Sequence, residues 1–132
     1  GSCAQIGRNV HLSAGVQIGG GLEPVGMNPV IIEDDCFIGA GAVIVEGILV
    51  RKKAVIAPGV TLSKSIPVYD AVKEVIRERG AEIPEGAVVI PGTRPMKSAW
   101  ATQEGLSMAC PIIVKYRDEN SDASLELEAA LR

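Results

Sequence analysis

Aromatic side chains are almost missing from this 132-residue chain: Phe37, Tyr69, Trp100 and Tyr116 are its only Phe, Tyr or Trp residues. Its core must therefore be aliphatic, and stacking platforms for nucleic-acid bases are scarce. Cysteine is scarce too. Cys3, Cys36 and Cys110 are odd in number and far apart, which suits neither a disulfide framework nor a zinc cluster and reads as small buried hydrophobes. Neither sign of charge dominates: 13 Lys and Arg face 16 Asp and Glu, a net charge of -3. That balance gives no electrostatic reason to bind nucleic acid or an anionic membrane. No apolar run reaches the roughly 18 residues of a membrane span, and no signal segment opens the chain. These absences predict a soluble, cytoplasmic protein.

What the chain has in abundance is Val, Ile and Gly. The 15 Val and 14 Ile against 8 Leu favour pleated strands over helices. Self-similarity appears at a period of six. Ile6, Leu12 and Ile18 are followed, after one interruption, by Ile32, Ile38, Ile44, Val50, Ile56 and Leu62, and after a second by Ile83 and Val89. Small or aliphatic residues recur four positions later, among them Val10, Val16, Cys36, Ala42, Ala54, Val60 and Ala87.

Six is neither the helical period nor simple alternation, so each unit needs a short strand and then a corner. Three units close a triangular coil, and stacked coils bury one continuous aliphatic column. Arg8-Asn9, Asp34-Asp35, Lys52-Lys53 and Pro58-Gly59 carry turn-forming residues at the corners. The expected fold is all-β: a left-handed parallel β-helix of hexapeptide repeats with two loop excursions and a short C-terminal helix.

The excursions fall where the phase breaks. From Ile18 to Ile32 the interval is 14 residues instead of 6, so about residues 20–27 loop out. From about 66 to 82, the alternation of Val68, Asp70, Val72, Val75 and Arg77 suggests a hairpin turning near Lys73-Glu74, with a short helix as the alternative. The repeat part spans 1–97 and is incomplete at its N-terminal end, where an uncapped coil implies upstream residues. Residues 98–132 supply a polar loop to Ser107, a closing strand from Pro111 to Tyr116, and a helix expected to cap the column. Ser121, Asp122, the helical spacing of Leu125, Ala129 and Leu131, and Glu128 four before Arg132 predict that helix.

Hexapeptide β-helices form a large acyltransferase class, and within it several stretches resemble the tetrahydrodipicolinate N-succinyltransferase family. They are Gly1 to Ser13, Leu22-Glu23-Pro24, Ile31 to Gly39, Val45-Glu46-Gly47, Tyr69-Asp70 and Ile113-Val114-Lys115, in order along nearly the whole chain. Gly39-Ala40-Gly41-Ala42 departs from the Arg and Ser that many members carry after Gly-Ala. The resemblance implies transfer of succinyl from succinyl-CoA to the amino group of a tetrahydrodipicolinate-derived amino acid, in a homotrimer with its sites between subunits. Acetyl transfer on the same fold, or a trimeric β-helix that is catalytically incomplete, are the alternatives.

That chemistry needs a base, donors for an oxyanion and a groove for the pantetheine arm. Glu23, in the loop behind three glycines, is the candidate catalytic base, with His11 as its rival. Ser13 and Asn28 are candidates for contact with the amino acid. Ala40, Gly41, Ala57 and Gly59 offer small residues along which pantetheine can lie, and Arg94, Lys97 and Lys115 offer charge for the phosphates of CoA. No metal is expected, since a single histidine cannot supply an all-histidine zinc site.

Overall fold

A computed structural model describes residues 1–20, 28–118 and 122–132. Nine two-residue strands come first: β1 (Gln5–Ile6), β2 (His11–Leu12), β3 (Gln17–Ile18), β4 (Ile31–Ile32), β5 (Phe37–Ile38), β6 (Val43–Ile44), β7 (Leu49–Val50), β8 (Val55–Ile56) and β9 (Thr61–Leu62). They stack in three parallel ladders, β1-β4-β7, β2-β5-β8 and β3-β6-β9. These are the three faces of a triangular column, and each coil contributes one strand to every face. The architecture is the left-handed parallel β-helix of the hexapeptide repeat.

The phase of the repeat is the phase of burial. Ile32, Ile38, Ile44, Val50, Ile56, Leu62, Ile83 and Val89 lie at 0–1% exposure, and register places Ile56 directly between Ile38 and Val89. Corners alternate with strands because the chain enters the left-handed region there, at Asn9, Asp35 and Lys53 on one corner and at Gly15, Gly41 and Gly59 on the next. Asn and Asp tolerate that conformation through local hydrogen bonding, and Gly takes it freely. Ile6 and Leu12 in the first coil are more than 40% exposed, since a coil with a neighbour on one side only leaves half of its inward face in water.

The first predicted excursion, about 20–27, lies almost wholly outside the described residues. The second is a hairpin, β10 (Val68–Asp70) and β11 (Val75–Arg77), paired antiparallel. The segment around it closes the far end of the column, where Ile66, Val68, Gly80 and Ala81 meet Ile48, Leu62 and Ile83 around one small cavity. Asp70 organises the hairpin. It is 2% exposed; its Oδ1 accepts from the backbone N–H groups of Val72 and Lys73, and Tyr116 Oη donates to its Oδ2. Lys73 Nζ stands 4.5 Å above the Tyr116 ring.

Burial by itself pushes the Asp70 carboxyl up, but the Tyr116 hydroxyl, the two backbone donors and the Lys73 charge outweigh it and hold the group below its usual range. Burial and the same hydrogen bond push Tyr116 up to about 12. A carboxylate with a depressed folded pKa stabilises the fold above the ordinary aspartate pKa and loses that contribution as pH falls through the lower, folded value. Tyr116→Phe, which strips one donor from a buried carboxylate, should cost about 1–3 kcal/mol in urea unfolding at pH 7. The deficit should shrink as pH falls through the lowered, folded pKa of Asp70 and the carboxyl becomes protonated; a deficit that stays constant throughout the acid titration would refute this account.

The C-terminal part differs from expectation in two ways. In place of a polar loop and one closing strand there are two long antiparallel strands, β12 (Ala87–Pro95) and β13 (Ser107–Tyr116), joined by a short helix α1 (Ala99–Gln103). Ser98 caps α1 by accepting from Ala101 N–H, the usual role of a serine just before a first helical turn. Together with β10 and β11 these strands extend one face into a seven-stranded sheet, β11-β10-β13-β12-β8-β5-β2.

The second difference concerns the last helix, α2 (Ala123–Ala130), which forms where its sequence places it, with Asp122 as N-cap. It does not cap the column. It packs against β12, and the outward-facing Val55 and Val88 are fully buried with its Leu127 in the core cluster. The helix thus covers the side of the extended sheet, because its Leu127 stripe finds apolar surface there while the end is already closed by the second excursion.

Candidate functional site

The candidate residues divide by corner. Gly41 N–H donates to Ala14 C=O (2.9 Å) and Gly59 N–H to Ala40 C=O (3.0 Å), so Ala14-Gly15, Ala40-Gly41 and Pro58-Gly59 stack into one uncharged edge. Ala40, Gly41 and Gly59 are exposed. No atom lies within 4 Å of where a Cβ would stand on Gly41 or Gly59, so the edge is open to an approaching chain. Ala57 does not belong to it. It is fully buried and its N–H is taken by Val89 C=O at 2.9 Å, because the residue after the inward Ile56 still faces the crowded interior on a coil with neighbours above and below.

Ser13 leads into this same edge, half-buried, with its Oγ 2.9 Å from His11 Nε2. His11 stacks on Phe37, ring centroids 4.6 Å apart and planes 6° from parallel. Asn28 stands elsewhere. Its carbonyl oxygen lies 2.5 Å from where a Gly47 Cβ would be, which places it on the Glu46-Gly47 corner, and Gly47 at φ +69 admits that close approach. Ser13 and Asn28 therefore sit on different corners of the triangle and are not brought together within one chain. Glu23 lies outside the described residues.

The three basic candidates are separated as well. Lys115 pairs with Val88 in the β12–β13 register, Arg94 with Met108. Seven residues of extended β13 between Met108 and Lys115 span about 23 Å. Lys115 also forms an ion pair with Glu126 of α2, which ties the helix to the sheet. Arg94 and Lys97 remain together near the far end of the hairpin, without an ion-pair partner among the described residues. Arg94 Nε is buried there with no acceptor.

Beside the edge is a slot that sequence reasoning missed. The first three coils turn after Ser13, Gly39 and Ala57, but β12 runs straight on through the equivalent position, and Pro91-Gly92 passes alongside Gly59. A cavity of about 60 Å³ results, lined by Gly59, Thr61, Ile66, Gly92 and Cys110 among others. Gly92 leaves room there, as a Cβ would fall 2.2 Å from Ile112 Cδ1 and the Ile112 side chain would have to swing aside. Burial pushes the Cys110 thiol up, against the pull of the Arg94 charge, and burial pushes Cys36 up to about 11; both stay protonated near neutrality and are poor nucleophiles. Among the described residues no cluster of His, Cys, Asp and Glu is arranged to hold a metal ion, and no helix is long and apolar enough to cross a membrane.

Coils of this period, stacked in three parallel ladders with an open uncharged edge, define a hexapeptide-repeat β-helix. The family described as the hexapeptide repeat of succinyl-transferase matches residues 29–64. The 2,3,4,5-tetrahydropyridine-2,6-dicarboxylate N-succinyltransferases of Nitrobacter hamburgensis and Idiomarina loihiensis are 48% and 50% identical to this chain, over 100% of it and 46% of their own length. That of Acinetobacter baylyi is 48% identical over the same shares. The chain is similar to these N-succinyltransferases along its entire length, and it spans about half the length of the curated relatives it matches.

Proposed function

We propose that the protein is an acyltransferase that moves succinyl from succinyl-CoA to the amino group of a tetrahydrodipicolinate-derived amino acid, a step of lysine and diaminopimelate synthesis in the cytoplasm. The observation that carries this reading is the identity of about half of all residues, across the whole chain, with proteins named for that transfer. Geometry supports it through the open edge of Ala40, Gly41 and Gly59, along which a pantetheine arm can lie against backbone.

In this reading the substrate nitrogen attacks the thioester carbonyl and Glu23 takes the proton that nitrogen loses. Backbone N–H groups hold the oxyanion, the C–S bond breaks, and CoA leaves as the amide forms. Ser13 and Asn28 contact the amino acid from two subunits of a homotrimer, which accounts for their standing on different corners of one chain. Such an interface should bury roughly 1,600 Å² or more.

The test is calorimetric titration of the 132-residue chain with succinyl-CoA and with CoA, after light scattering has given its mass. A trimer that binds succinyl-CoA more tightly than CoA is the expected result. A trimer that binds neither would leave an assembly core without the acyl site, and equal binding of acetyl-CoA would point to acetyl transfer.

A further inference from the structure

His11 and Ser13 are joined by a hydrogen bond to which the acyl transfer described above gives no chemistry. Ser13 Oγ lies 2.9 Å from His11 Nε2, the reach between a nucleophile and the base that activates it. The imidazole is held flat against Phe37, centroids 4.6 Å apart and planes 6° from parallel, because the two residues are partners in the β2–β5 register. Ser13 is fixed through its backbone, its N–H donating to Ile38 C=O at 3.0 Å. Among the described residues no carboxylate completes a triad, and the Phe37 ring restrains the imidazole in its stead.

The pair is peculiar to one coil. The same two positions carry Phe37 and Gly39 in the next coil and Val55 and Ala57 in the one after. Neither combination can take up a proton or attack a carbonyl. The place of the pair matters as well. Ser13 is half-buried at the head of the open edge, where the exposed Ala14 and Gly15 follow it and Ala14 C=O accepts from Gly41 N–H at 2.9 Å. A thioester carried along that edge passes the Ser13 hydroxyl.

We infer that Ser13 is a nucleophile and His11 its general base, which gives the chain a second activity: hydrolysis of an acyl thioester, through an acyl-Ser13 ester, when no amine is present. The use of the edge by an acyl thioester rests on the function proposed above; the dyad itself does not. Ser13 Oγ bonds to the thioester carbonyl carbon and its proton passes to His11 Nε2, which requires the neutral ring with its own proton on Nδ1. The C–S bond breaks and the leaving sulfur takes that proton from His11. Water then attacks the ester, and His11 accepts its proton and returns it to Ser13 Oγ as the ester C–O bond breaks. Acyl thioester and water thus give a carboxylic acid and a thiol, with the protein restored.

The test is to incubate the full chain with succinyl-CoA in the absence of amine, quench in acid and locate the acyl group by tandem mass spectrometry. A succinyl ester on Ser13, with steady release of CoA followed by chromatography, is the expected result. Ser13→Ala should abolish both, and His11→Gln should slow the release about 10²-fold, the lower range for a lost general base. Circular dichroism checks that both variants fold. Acyl groups on the exposed Cys3 or on lysines alone, or release at an equal rate in Ser13→Ala, would overturn the dyad. The small ester p-nitrophenyl acetate, which needs no groove, separates that failure from failure of the acyl-CoA reading. Acetylation of Ser13 by it in a chain that binds no succinyl-CoA would keep the dyad and remove the proposed donor. Binding of succinyl-CoA with Ser13 left unlabelled by either compound would do the reverse.

Discussion

Ile56→Ala should lower the unfolding free energy by about 2–5 kcal/mol, the cost of a cavity in a site that cannot collapse. Ile56 is fully buried, stacked in register between Ile38 below and Val89 above. Its own backbone is held as well, its C=O accepting from Gly39 N–H at 2.7 Å. Rungs joined by parallel hydrogen bonds cannot slide to fill the missing volume. Against a domain stability of about 5–15 kcal/mol, this single change removes a large share. Ile6→Ala offers the contrast at the same repeat position: with 42% of its surface exposed, it should cost about 0.5 kcal/mol. Urea denaturation of the two variants decides the matter, and equal losses would mean that the repeat phase does not govern burial.

Glu23→Gln is the second large effect. With its carboxylate as base, the amide should slow succinyl transfer by about 10²–10⁴-fold, the usual range for losing a positioned proton acceptor. Binding of succinyl-CoA should persist, since Gln keeps the shape and the fold rests on the column. Stopped-flow release of free thiol, run beside calorimetry on the same variant, separates the two. Turnover unchanged in Glu23→Gln but lost in His11→Gln would transfer the role to His11, whose Nε2 is already engaged with Ser13 Oγ. A wild-type chain that binds succinyl-CoA and releases no thiol would show a binding half without the chemistry.

The basic residues of the hairpin stand in different surroundings. Lys115 sits in a stretch that resembles the succinyltransferases, yet its ammonium is engaged by Glu126. Lys115→Ala is thus a change to the docking of α2, whereas Arg94 and Lys97 keep their charge available at the other end of the hairpin. Likewise Ala57 matches its small neighbours by residue type alone; one position nearer the inward Ile56, it is part of the core.

The sequence by itself determined the coil. A period of six residues is a local property, since each Ile, Leu or Val specifies only its own short strand, and repetition makes the strands stack. For that reason all nine two-residue strands, the corner residues, the hairpin at Val68 to Arg77 and the span of α2 were legible from spacing and turn chemistry. Only the tertiary structure decided where the non-repeating parts go. That β12 runs straight past the corner and opens a slot at Gly92, that Tyr116 reaches back 46 residues to Asp70, and that α2 covers Val55 and Val88 on the flank depend on pairings between distant segments. No spacing encodes them, because their energy comes from surfaces that exist only once the column has formed.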